Sequence, residues 1–118
     1  MNWTKEEILE YNKLCADFLG WKDLNNDSFP EYIDKLGNFY PLKELKFHSD
    51  WNWIMEVVEA IEKLRYLVVI QSNFCQIQEV GTKENSFSPR IIAYQEALTK
   101  KEAVVQAINQ FLIWYNNE

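Results

Sequence analysis

Hydrophobic residues recur along this chain with two spacings, and the spacings parse most of it into elements. Ile8, Tyr11, Cys15 and Phe18, with Leu14 and Leu19 beside them, repeat at three and four residues and leave Glu6, Glu10, Lys13 and Asp17 on the opposite face. Thr4-Lys5-Glu6-Glu7 has the spacing of a capping box, in which a hydroxyl and a carboxylate satisfy amides that the first helical turn leaves open. A first helix is therefore predicted from Thr4, stopped by Gly20, the residue type that enters left-handed backbone at no steric cost. Trp51, Ile54, Val58, Ile61 and Arg65 keep the same period in a second helix running to about Leu64, with Ser49 as N-cap and Asp50 in its first turn. Trp53, Val57, Ala60 and Leu64 widen its apolar face beyond half the circumference, so it needs cover on two sides. Thr99-Lys100-Lys101-Glu102 repeats the capping-box spacing ahead of a third helix, whose stripe is Val104, Ile108, Phe111 and Tyr115, flanked by Val105, Ala107, Leu112 and Trp114.

The intervening segments read as strands and loops. Tyr66 to Ile70 is a β-branched run and Cys75-Gln76-Ile77-Gln78 alternates apolar with polar, so the two predict a hairpin turning at Gln71-Ser72-Asn73. Arg90 to Tyr94 adds a third strand beyond a polar connection, Val80 to Pro89, with turn residues Gly81, Asn85 and Ser86. Leu42, Leu45 and Phe47 are spaced for a short edge strand. Residues 21–40 read as a packed loop: Asn25-Asn26-Asp27-Ser28 and Phe29-Pro30 supply turn chemistry, and Glu31 to Leu36 is expected to form a helical turn. The expected fold is α+β, one domain over residues 1–118, with three helices layered on a small antiparallel sheet of two to four strands in the order αβαββ(β)α.

Composition sharpens this picture. With 118 residues, 47% of them apolar and 15% aromatic, the chain can bury a core that folds alone, and its 3 Gly and 3 Pro leave little material for linkers. No apolar run approaches the roughly 18–20 residues of a membrane span, and Met1 opens onto a polar stretch, so an intracellular protein is expected. The sequons Asn2-Trp3-Thr4 and Asn26-Asp27-Ser28 are discounted on the same ground. Cys15 and Cys75 lie inside apolar patterns and read as small core hydrophobes rather than a disulfide.

Candidate chemistry is sparse. His48 is the only histidine, with Asp50 two positions on, and two ligands fall short of the three or four that a zinc site needs. The pairs Glu6 with Glu10 and Glu59 with Glu62 share helix faces, as solvated acids do. There is no glycine-rich phosphate loop, nucleophile elbow, HExxH or CxxC pattern. The expectation is no catalytic residue, no metal and no cofactor. Charge is more informative: through Glu62 the chain carries 13 acids and 6 bases, a net −7, and from Lys63 onward 5 acids and 6 bases, a net +1. An acidic front suits a basic protein partner better than a phosphate backbone.

His48-Ser49-Asp50-Trp51-Asn52-Trp53 and its continuation to Glu62, Phe18-Leu19-Gly20-Trp21-Lys22, Lys100-Lys101-Glu102-Ala103-Val104, and Phe111-Leu112-Ile113-Trp114-Tyr115-Asn116 together resemble the phage ABA sandwich domain family. The resemblance covers about half the chain and implies a small α/β/α domain encoded by phages or prophages, acting in the cytoplasm of the bacterial host, with no family activity or catalytic residue to carry over. Combined with the charge, it suggests an accessory protein that works by protein–protein contact, such as an inhibitor of a host CRISPR RNA-guided nuclease with a basic channel. The expected interface residues are Trp3, Glu6, Glu10, Asp17, Trp21, Asp23, Asp27, Glu31, Asp34 and Trp53, since tryptophan is enriched at interfaces. A less favoured edge for direct RNA or DNA contact is Lys63, Arg65, Lys83, Arg90, Lys100 and Lys101. Two other classes fit the same sequence: a nucleotide-binding sponge or small enzyme with the aromatic loop Trp21 to Tyr40 as pocket wall, and a virion structural or assembly protein.

Overall fold

The computed structural model describes residues 1–24, 31–81 and 89–118. The proposed turns at Asn25 to Pro30, the second sequon, most of the Val80 to Pro89 connection, and the candidate residues Asp27 and Lys83 lie outside the described residues. The fold is α+β, and the described residues form three helices and two small three-stranded antiparallel sheets. The described chain gathers into two compact units, residues 2–54 and residues 55–118 with Met1.

In the first unit, α1 (Lys5–Phe18) starts as its sequence requires. The Thr4 hydroxyl accepts from the Glu7 amide and the Glu7 carboxylate from the Thr4 amide, each at 3.1 Å. At its other end the Gly20 amide donates to the Asp17 carbonyl and the Trp21 amide to the Ala16 carbonyl, with Gly20 at φ +79°. The buried side of α1 is Tyr11, Asn12, Cys15 and Ala16. The chain then forms β1 (Lys22–Asp23), β2 (Glu31–Ile33) and β3 (Phe39–Pro41), paired in that order. Glu31 to Ile33 is thus a strand and not the expected helical turn. Tyr32 at its centre is 1% exposed, and the β2–β3 connection is closed instead by Asp34, whose carboxylate accepts from the Leu36 and Asn38 amides at 2.9 and 2.8 Å.

Leu42 to Phe47 is not the expected edge strand. Leu42–Glu44 is a single 3-10 turn, and Leu45 and Phe47, although both buried, are carried by the irregular backbone after it. Nor is Ser49 the cap of the next helix, α2 (Trp51–Lys63). Asp50 takes that place: its carboxylate accepts from the Asn52 amide at 2.8 Å and its carbonyl from the Ile54 amide at 2.9 Å. The buried face of α2 is narrower than its composition suggests, Ile54, Val57, Val58 and Ile61, while Trp51, Met55 and Leu64 are exposed. Arg65 does not continue the helical stripe; at φ +70° it is the left-handed residue that ends it.

In the second unit, β4 (Tyr66–Gln71) and β5 (Phe74–Glu79) form the expected hairpin, turned at Ser72, and β6 (Ile91–Glu96) pairs with β5 through a bulge at Ile92. The buried residues of this sheet, Cys75, Ile77 and Ala93, sit beneath α3 (Lys100–Asn116), which packs mainly on β5 and β6. Thr99 caps α3, its hydroxyl accepting from the Glu102 amide at 3.2 Å. The Gln110 side-chain oxygen reaches back to the Tyr94 amide at 3.2 Å, occupying part of the open edge of β6. The two cysteines are free and buried, as their apolar setting predicts. No helix among the described residues is long and apolar enough to cross a membrane.

Candidate functional site

Two features of the first unit stand out, an acidic face and an aromatic cleft. The acidic face is organised by a buried hydroxyl. Tyr32 donates to Asp17 Oδ1 at 3.3 Å and is also within hydrogen-bonding reach of Asp23, so one strand residue ties together a carboxylate from α1 and one from β1. Burial pushes the Asp17 carboxyl above its ordinary range; the Tyr32 bond and the Lys13 charge pull it down, while the Asp23 and Glu10 charges push it further up. Tyr32 itself is raised, by burial first and then by the two aspartates. Asp17 therefore feels both the Asp23 and the Glu10 charge, with Lys13 opposing them. Glu6 lies one turn before Glu10 and is exposed, whereas Glu31 is half-buried on β2.

Asp34 belongs to the β2–β3 turn rather than to this face. Despite some desolvation, hydrogen bonds from Asn38, Leu36 and Gly37 hold its carboxyl below the ordinary range, so its charge is spent on fixing the turn. The turn so fixed presents Leu36, 88% exposed, and leads into Phe39, 60% exposed.

The three candidate tryptophans are half-buried. Trp3 leans on Tyr11, ring centroids 5.2 Å apart. Trp21 and Trp53 join Tyr40 and Phe47 in a cluster with centroids 4.9–5.6 Å apart, Trp21 stacked on Tyr40 and Trp53 edge-on to its neighbours. Beside it opens a cleft of about 400 Å³ lined by Tyr40, Trp53 and Leu45 together with Lys43, Glu44, Lys46 and His48. His48 is half-buried at the turn before α2. Its Nδ1 is 3.0 Å from Nδ2 of Asn12, a residue 1% exposed on α1, and burial lowers its pKa from the usual value. With Nδ1 accepting from that amide, the neutral ring carries its proton on Nε2.

Asn12 is a site residue that the spacing of apolar positions does not single out. Its signal was an amide interrupting the apolar stripe between Ile8 and Ala16, where a buried polar group needs a partner.

Among the described residues the candidate bases divide between two ends of the second unit: Arg65 and Arg90 lie at one, where Tyr66 pairs with Glu79 and feels the Arg90 charge, and Lys100 and Lys101 at the other. Arg90 lies 5.3 Å from the Trp114 ring centroid, near the end of α3, and pairs with Glu79 at 3.4 Å. Lys100 and Lys101 open the same helix, about 20 Å away at 1.5 Å per residue. Lys63 and Arg65 flank the end of α2. Among the described residues no group of three or more His, Cys, Asp or Glu side chains is placed to hold a metal ion.

Fold and site thus define a small α+β protein with an acidic face and an aromatic cleft. Comparisons of the chain with protein-family models, curated proteins and solved structures return no match.

Proposed function

We propose that this protein acts by binding another protein, and that the contact is made by the acidic face of α1 and β1 on a basic surface. The observation that carries this reading is the Asp17–Tyr32–Asp23 arrangement, in which a buried hydroxyl holds two carboxylates close together against their mutual repulsion. Bringing like charges together while partly desolvating one of them works against stability, and a complementary partner offsets that cost. The fixed β2–β3 turn adds an apolar anchor, Leu36, of the kind that inserts into a partner's surface.

The partner class follows from charge. A surface that accepts clustered carboxylates also accepts phosphates, and an RNA-guided nuclease carries such a surface in the channel that holds its heteroduplex. The resemblance to the phage ABA sandwich domain supports a phage or prophage origin, so the reading is an accessory protein that blocks a host nuclease in the bacterial cytoplasm. The test is competition. Purified protein titrated into a guide-loaded CRISPR nuclease is expected to displace labelled target DNA in a saturable way, and target binding unaffected at saturating protein would reject this partner.

A further inference from the structure

The cleft beside the aromatic cluster is separate in chemistry from the acidic face, and its lining converges on a different ligand. Its volume, about 400 Å³, is within the range of roughly 300–1,000 Å³ typical of small-molecule sites. Two of its lining residues are aromatic and held by ring contacts: Tyr40 stacks on Trp21, and Trp53 stands edge-on to Phe47 at 4.9 Å and to Tyr40 at 5.2 Å, so the pair forms an aromatic corner. Such rings are preorganised to receive a flat π-system at little entropic cost. Lys43 and Lys46 stand in the same lining against the single carboxylate of Glu44, giving an excess of positive charge in an otherwise acidic half of the chain. His48 is not free to turn away: buried Asn12 occupies its Nδ1, which leaves the Nε2 proton as the ring's donor.

An aromatic wall, two ammonium groups and an oriented imidazole are what a planar heterocycle bearing a phosphate requires. We propose that this cleft binds a mononucleotide, its base against Tyr40 and Trp53 and its phosphate held by Lys43, Lys46 and His48. The inference goes beyond the protein-contact reading and does not depend on it. The test is made on the full chain with adenosine, guanosine, cytidine and uridine 5′-monophosphates, each titrated by calorimetry. His48, the only histidine, provides a single imidazole resonance that reports binding at this cleft. Saturable binding of at least one monophosphate that shifts the His48 resonance is expected, with the matching nucleoside and inorganic phosphate each at least ~10-fold weaker. The double variant Lys43→Gln/Lys46→Gln changes exposed side chains and is expected to keep its melting temperature while losing at least ~10-fold in affinity. No saturable binding of any of the four, binding that leaves His48 unshifted, a nucleoside as tight as its monophosphate, or undiminished affinity in a folded double variant would each overturn the proposal.

Discussion

Asn12 is a buried amide with one polar atom bonded and one not, and replacing it by leucine tests what it contributes. Its Oδ1 makes no hydrogen bond to the protein among the described residues, while Nδ2 donates to His48. A buried acceptor without a partner costs about 1–3 kcal/mol, and a hydrogen bond such as that to His48 returns roughly 0.5–1.5 kcal/mol. The balance is unfavourable by about 1 kcal/mol. Leucine has the same branching and the same number of side-chain heavy atoms, and is apolar like Ile8, Cys15 and Ala16 around it on α1. Asn12→Leu is therefore expected to raise unfolding free energy by about 1 kcal/mol, or roughly 4 °C in Tm for a chain of this size. The same change releases His48, so nucleotide affinity is expected to fall as stability rises. Urea denaturation with a two-state fit gives the first quantity and calorimetric titration the second. A loss of more than about 1 kcal/mol would refute the reasoning.

The remaining predictions concern titration and reactivity. Burial lowers the His48 pKa below its unfolded value of 6.5, so the folded protein binds this proton less well than the unfolded chain. Its contribution to stability is present above about pH 6.5 and is lost as pH falls through the folded pKa; the difference between wild type and His48→Gln, measured by urea denaturation from pH 8 to pH 5, should shrink accordingly, and a flat difference would contradict the assignment. Both cysteines are fully buried, the Cys75 thiol is pushed up to about 12 by desolvation, and Cys15 is raised further by the same cause. Iodoacetamide at pH 8 is expected to leave both untouched in the folded protein and to label both in denaturant, as read by intact mass.

What was legible in the sequence is what local chemistry decides. The Thr4 and Thr99 caps, the Gly20 stop and the β4–β5 turn involve residues within a few positions of one another, and the structure realises each. The first sheet was not legible, because β1 has two residues and β2 and β3 three each, too short for alternation to register. Leu45 and Phe47 misled for the opposite reason. They are buried two apart, as in a strand, but after a 3-10 turn. Ser49 lost the cap to Asp50 because both have suitable side chains and one residue of register separates them. The candidate interface was legible as charge but not as geometry. Nothing local places Tyr32 between Asp17 and Asp23, or Asn12 against His48 36 positions away. Likewise the later bases share a sequence region, yet α3 carries Lys100 and Lys101 to the end opposite Trp114 and Arg90.

The central claim, that clustered carboxylates make the protein contact, is tested most directly by removing their charge while keeping their shape. In Glu10→Gln/Asp17→Asn/Asp23→Asn the Tyr32 hydroxyl keeps an acceptor at position 17, and relief of repulsion at Asp17 leaves the melting temperature at pH 7 equal to or above that of the wild type. Inhibition of a guide-loaded nuclease by wild type and variant, titrated at low and at physiological salt, is the measurement. The wild type is expected to weaken with salt, and the variant to be at least ~10-fold weaker at low salt with little further salt dependence. A folded variant that inhibits as well as the wild type would contradict the claim.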